Sequence, residues 1–209
     1  MKMQDALNVA VIYGSVRPGR LGIRAARFMV AQCRARGHAV ELIDPLDYPL
    51  PLLERKYKDY PEGAAPAAMG QVAAHLTAAD AYLVISGEYN HTVPPALSNL
   101  LDHYLEEYFR KPSGIVCYSA GAFGGVRAAM TLRAMLAELG TSSIPSLFPV
   151  PRVQDAFDEQ GVPADERAVA RAARFLDELE WYAHAMKAQR GRDCARSECD
   201  GSALTGTSG

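Results

Sequence analysis

The sequence predicts an α/β domain built on a five-stranded parallel sheet with its strands in the order 2-1-3-4-5. Three observations carry that reading. Short apolar runs alternate with stretches of helical period along most of the chain. The run Ala81-Tyr82-Leu83-Val84-Ile85 is apolar without interruption, as in a strand covered on both faces. The runs read as strands one, three and four each end in a polar, glycine-bearing loop, and open parallel sheets bind ligands beyond the carboxyl ends of their strands. In the order given those three strands are neighbours, so their loops face one crevice.

The elements follow in order. Asn8 to Tyr13 reads as a buried strand that stops at Gly14-Ser15-Val16-Arg17-Pro18-Gly19-Arg20. Ile23, Ala26, Val30 and Cys33 then recur at helical spacing, and Gly37 suits the end of that helix. His38 to Asp44 is a second strand, closed by Pro45. Residues 46–66, rich in Pro, Tyr and Leu without a period, form a long loop with short helical turns. A helix over Ala67 to Ala78 leads into the third strand, Ala81 to Ser86. Leu97, Leu100, Leu101, Tyr104, Leu105 and Tyr108 hold helical spacing and predict one continuous helix through Tyr108. Ser113 to Ser119 is the fourth strand, Ala120 to Gly125 its loop, and a helix follows through Leu132 and Leu136 to Gly140. Ser143 to Val150 supplies the fifth strand. A last helix starts near Asp165 and passes Val169, Leu176 and Met186. Residues 191–209 turn to Gly, Ser, Thr and Asp and read as a disordered tail beyond a single domain over 1–190.

Composition narrows the function. A chain of 209 residues suits one α/β domain with a good core. A formal charge of −2 with no basic run argues against a nucleic-acid partner. The N-terminus lacks a signal-peptide apolar core, and no stretch approaches the ~20 apolar residues of a spanning helix. The expectation is a soluble cytoplasmic protein without a membrane partner. Cys33, Cys117, Cys194 and Cys199 show no metal-like clustering, so reduced thiols and no metal are expected; Cys194 and Cys199 form a loose pair in the tail.

The first loop points to an anion. A strand-loop-helix junction gathers free N–H groups at the positive end of a helix, and Ser15, Arg17 and Arg20 add a hydroxyl and two permanent charges. Gly14-x4-Gly19-Arg20-Leu21 approaches the P-loop signature but lacks its Lys followed by Ser or Thr. The dinucleotide fingerprint also fails, because no second glycine follows Gly14 at the required place. One compact, doubly charged phosphate such as the monoester of FMN remains, against a plain polar turn.

Three segments together carry a family likeness. Gly14 to Arg20, then Glu88-Tyr89-Asn90-His91 with Pro94, Leu97, Asn99 and Asp102, then Tyr118-Ser119-Ala120-Gly121 with Gly124-Gly125-Val126-Arg127, resemble the NADPH-dependent FMN reductase family. That family, of flavodoxin-like fold, includes quinone, azo-dye and chromate reductases. The likeness extends to Phe157-Asp158-Glu159-Gln160-Gly161 and to Glu178-Leu179-Glu180-Trp181-Tyr182-Ala183. It implies a bound FMN with its phosphate on Ser15, Arg17 and Arg20 and on N–H groups near Gly22 and Ile23. The flavin ring would lie along Gly87, Glu88, Tyr89, Asn90 and His91, with its pyrimidine edge against Ser119, Ala120, Gly121 and Gly124. It further implies NAD(P)H as co-substrate, a small-molecule electron acceptor such as a quinone or free flavin, ping-pong hydride transfer without a side-chain acid, and a homodimer or homotetramer with Asn99 and Asp102 at the subunit contact. Two positions depart from the family pattern: Gly87 replaces a usual proline, and Ser98 a common lysine. An FMN-binding electron carrier or flavin-responsive regulator is the alternative from another class.

Overall fold

The computed structural model describes residues 5–203, with side chains described through residue 194. Strands β1 (Asn8–Tyr13), β2 (Ala39–Ile43), β3 (Ala81–Gly87), β4 (Pro112–Tyr118) and β5 (Ser142–Val150) are all parallel and lie in the order β2-β1-β3-β4-β5. This is the expected flavodoxin-like sheet. Alternation along the strands divides the core in two. Val9, Val11 and Tyr13 of β1 face α1 (Gly22–Ala35) and α6 (Arg167–Ala203), while Ala10 and Ile12 face α2 (Ala67–Ala78), α3 (Pro95–Asp102) and α4 (Val126–Glu138). β3 and β4 are buried along their whole length, which explains the uninterrupted apolar run from Ala81 to Ile85. A short helix, α5 (Val153–Ala156), follows β5.

The chain departs from its periodicity in two places. The stripe from Leu97 to Tyr108 is not one helix: α3 stops at Asp102, and Glu106–Tyr108 forms a separate 3-10 turn. The His103 carbonyl accepts the Tyr57 N–H at 2.8 Å, His103 Nδ1 meets the Asn99 carbonyl at 2.6 Å, and the Glu107 carboxylate accepts the Leu105 N–H at 3.0 Å. These contacts consume groups that a continuing helix would pair with itself. Tyr104 and Tyr108 are buried all the same.

The last helix does not end near residue 190 but runs to Ala203. Lys187 and Arg190 reach Asp80 at 2.8 and 3.2 Å, and Arg190 also donates to the Arg110 carbonyl at 2.8 Å. These contacts hold the helix up to the point where its sequence turns polar, and Arg110 reaches Asp193 beyond it at 3.5 Å. Residues 204–209 of the expected tail, and the Cys199 side chain, lie outside the described residues. Asn99, expected at a subunit contact, also has partners within the chain. It accepts from the Leu53 N–H at 2.9 Å and donates to the Pro51 carbonyl at 2.8 Å, so its side chain fastens the long loop over 46–66 to α3.

Cys33 and Cys117 are buried, and burial pushes both thiols up to about 12. Neither has the lowered pKa of a reactive thiol. No helix among the described residues is long and apolar enough to cross a membrane.

The layered core sets the stability scale. Leu83→Ala, at a fully buried position on β3, is expected to destabilise by about 2–5 kcal/mol, whereas Leu52→Ala, at 82% exposure, should stay within about 0.5 kcal/mol. Urea unfolding midpoints of the two variants check the contrast; similar losses would show that β3 is not the centre of the core.

Candidate functional site

Loops after β1, β3 and β4 meet around one aromatic side chain. Tyr118, the last residue of β4, stacks on Tyr13 with 6.4 Å between ring centroids and donates its hydroxyl to that of Tyr13 at 3.4 Å. A Cβ on Gly22 would fall 2.0 Å from the Tyr118 ring, and one on Gly87 3.0 Å from it. A Cβ on Gly125 would sit 2.7 Å from Tyr118 backbone atoms, and Gly125 also has φ +79°. Glycine is required at positions 22 and 125 because Tyr118 occupies the space, while at position 87 a Cβ would press closely on the same ring. Burial pushes the Tyr118 hydroxyl far above its ordinary pKa, so it stays protonated and can donate.

Beside this hub lies a crevice of about 280 Å³. Ser15, Arg17, Arg20 and Gly22 line it from the first loop, Glu88 and Tyr89 from the second, and Ser119 and Ala120 from the third, with Tyr118 and Val153 completing the wall. Those eight expected residues come together. Asn90, His91 and Gly121 are exposed on the same loops without lining the crevice, whereas Gly87 and Gly124 are buried. A Cβ on Gly124 would meet the Pro151 nitrogen at 3.0 Å, so that glycine lets the third loop pack on the chain leaving β5. Ile23 faces a neighbouring groove.

The first loop delivers α1 to the crevice unblocked. Leu21 precedes the helix without a capping side chain, and the first turn contains no acidic residue. The opening N–H groups of α1, those of Gly22 and Ile23 among them, have no partner within the helix and sit at its positive end. Ser15 Oγ is buried, lies 3.2 Å from the Tyr89 hydroxyl and accepts the Arg17 N–H at 3.4 Å. The Arg17 guanidinium is 5.6 Å from the centre of the Tyr89 ring, and no carboxylate among the described residues pairs with it. Hydroxyls, helix N–H groups and one uncommitted cation converge on a volume that suits a phosphate.

Arg20 is spent differently. Its two terminal nitrogens bind both oxygens of Asp44 at 2.5 and 2.6 Å, and one also donates to the Ser15 carbonyl at 2.8 Å. Burial alone would lower the Arg20 pKa, but Asp44 outweighs it and keeps the guanidinium charged. The pair staples the first loop to the end of β2 and contributes no net charge to the crevice.

The second loop is a tight hairpin. Tyr89 and Thr92 exchange backbone hydrogen bonds at 3.1 and 2.9 Å, and the two residues between them, Asn90 and His91, have φ of 51° and 64°. Positive φ at both central positions is the type I′ turn. Just before it, the Glu88 carboxylate accepts the Arg127 and Ala128 N–H groups at 3.1 and 3.3 Å. Glu88 thus caps α4 from another loop and locks the second loop to the third.

Residues 7–155 match the sequence profile of a family described as NADPH-dependent FMN reductase. The chain belongs to that family. It is accordingly an oxidoreductase of the NAD(P)H-dependent FMN reductase type. It is 28% identical over 191 residues to an NAD(P)H-dependent FMN reductase of Pseudomonas aeruginosa, an alignment covering 88% of this chain and 100% of that one. A 2-hydroxy-1,4-benzoquinone reductase from a Burkholderia species is 29% identical over 183 residues, covering 81% of this chain and 89% of its own. The solved structure of FerB, a flavoenzyme NAD(P)H:(acceptor) oxidoreductase from Paracoccus denitrificans, aligns with a TM-score of 0.68 at 22% identity, covering 85% of this chain and 99% of its own. That structural likeness shows a shared fold.

For this FMN reductase family member, sequence reasoning missed Asp44 and Tyr118 as parts of the site. Both were findable. Asp44 ends the strand that the order 2-1-3-4-5 sets beside the first loop, and Tyr118 immediately precedes the third.

Gly22→Ala is expected to cost about 1–3 kcal/mol by driving Tyr118 out of place. Adding Tyr118→Ala should recover part of that loss, giving a favourable coupling energy in a double-mutant cycle read by denaturant melts. Strict additivity would show that the two residues do not share the space.

Proposed function

We propose that the crevice holds one FMN and that the protein passes electrons from NAD(P)H to small oxidised acceptors, with quinones first among them. The observation carrying this reading is the convergence of Ser15, Tyr89, Arg17 and the uncapped start of α1 on one phosphate-sized space at the ends of β1 and β3. When bound, FMN supplies the redox chemistry, taking two electrons as hydride from the nicotinamide and delivering them to the acceptor.

The chain supplies position and charge. Arg17 and the α1 N–H groups balance the phosphate dianion, and the hydroxyls of Ser15 and Tyr89 hydrogen-bond its oxygens. Glu88 fixes the two loops that would border the flat ring, while the exposed hairpin at Asn90 and His91 leaves that border accessible to acceptors. The names of the relatives in Pseudomonas and Burkholderia support flavin and quinone as acceptor classes.

Absorbance spectroscopy tests the reading. The protein purified with added FMN should retain a flavin spectrum, and anaerobic NADPH should bleach it until a quinone restores it. Arg17→Ala should weaken FMN binding by roughly 10- to 100-fold, the scale of a hydrogen bond to a charged group. A protein that takes up no flavin, or retains flavin that NAD(P)H never bleaches, defeats the proposal.

A further inference from the structure

The motif Phe157-Asp158-Glu159-Gln160-Gly161 plays no part in the crevice described above, yet it is built with care. Asp158 Oδ1 accepts the N–H groups of Gln160 and Val162 at 2.9 and 2.8 Å, which closes the segment into a tight turn. Gly161, at φ +87°, presses so close to α1 that a Cβ would fall 2.7 Å from the Phe28 nitrogen. Arg24 and Arg27 of α1 donate to the Phe157 and Glu159 carbonyls at 3.2 and 2.5 Å. The turn is thereby fixed as one wall of a second groove, of about 280 Å³, whose other wall is α1.

The groove's place and charge are the informative features. Gly19, Arg20 and Leu21 border both this groove and the flavin crevice, so a single strand of chain separates the two. Arg20 is neutralised by Asp44. Arg24 and Arg27 each use one nitrogen on a carbonyl, and neither pairs with a carboxylate among the described residues. Each guanidinium has five N–H donors in a planar fork that matches phosphate oxygens, so most of that capacity is unspent. Glu159 is the one acidic residue lining the groove, which leaves it positive by one charge.

We propose that this groove receives the phosphate on the adenosine ribose of NADPH and that Arg27, with Arg24, makes the protein prefer NADPH to NADH. The inference rests on the oxidoreductase reading, because it gives the non-reacting half of the co-substrate a place beside the flavin. A ribose phosphate brings close to two negative charges to two guanidinium groups. NADH offers only a hydroxyl there, for which Glu159 is the sole acidic acceptor, as acidic residues accept ribose hydroxyls in other dinucleotide sites.

The test compares kcat/KM for NADPH and NADH in the FMN-loaded enzyme with Arg27→Ala and Arg27→Gln, the latter keeping an N–H donor for the Glu159 carbonyl. Calorimetry with adenosine 2′,5′-bisphosphate and with AMP provides a readout independent of turnover. Both variants should lose about 10- to 100-fold in kcat/KM with NADPH and much less with NADH, and both should lose affinity for the bisphosphate but not for AMP. Equal losses with the two dinucleotides would assign Arg27 to the shared pyrophosphate and overturn the proposal. So would an unchanged NADPH preference, or equal binding of bisphosphate and AMP by the wild type. If the wild type oxidises neither dinucleotide, the oxidoreductase reading itself has failed, and the calorimetric comparison still decides whether the groove distinguishes the ribose phosphate.

Discussion

Three glycines from three separate junctions close on a single tyrosine, and the functional end of the molecule depends on that packing. Gly22 opens α1, Gly87 ends β3 and Gly125 precedes α4; Tyr118 leaves no room for a Cβ at the first and last and stands 3.0 Å from one at Gly87. A parallel sheet places the ends of β1, β3 and β4 next to one another but does not fix the distance between their loops. The tyrosine does. Its ring is rigid and buried, it rests on Tyr13 beneath, and its backbone stays in register with Val150 of β5. The loops can approach it only as closely as a glycine allows, so the width of the crevice is set by van der Waals contact rather than by flexible polar side chains.

Charge in the same region is divided between holding the loops and remaining available. Arg20 with Asp44, and Glu88 with the start of α4, are internal fastenings that join neighbouring elements and leave little net field. Against that background Arg17, Arg24 and Arg27 of the first loop and α1 pair with no carboxylate among the described residues. A chain with a formal charge of −2 thus presents a local positive face beside the crevice and the groove proposed for the two phosphate-bearing ligands. Net charge hides this arrangement, because the acidic residues that balance it are distributed elsewhere.

The sequence made the scaffold legible and the fastenings much less so. The strands, the division of the core and the extent of α2 follow from periodicity and from the length of apolar runs, which report burial directly. The break after Asp102 does not, because Leu105 and Tyr108 keep helical spacing while the Glu107 carboxylate and the Tyr57 N–H take over the backbone groups a helix needs. The extension of α6 is hidden for the opposite reason: its polar composition reads as solvent-facing, and only the fold brings Asp193 to Arg110. Arg20 illustrates the same limit within the site. Its position in a loop suited to an anion is plain, but its commitment to Asp44 depends on a neighbour 24 residues away in the chain.

The hairpin at Asn90 and His91 shows where the molecule accepts strain. Two adjacent non-glycine residues with positive φ cost on the order of 1–3 kcal/mol each, with Asn at the low end because its side chain tolerates that region. A glycine at either place would relieve the cost, so the backbone path matters more here than local stability. That path reverses the chain within two residues and holds Tyr89 between reciprocal hydrogen bonds, with its hydroxyl 3.2 Å from Ser15. A looser turn would let Tyr89 move independently of the first loop. Strain at the exposed tip therefore keeps two loops in contact where both line the crevice, while Glu88, one residue earlier, ties the base of the turn to α4.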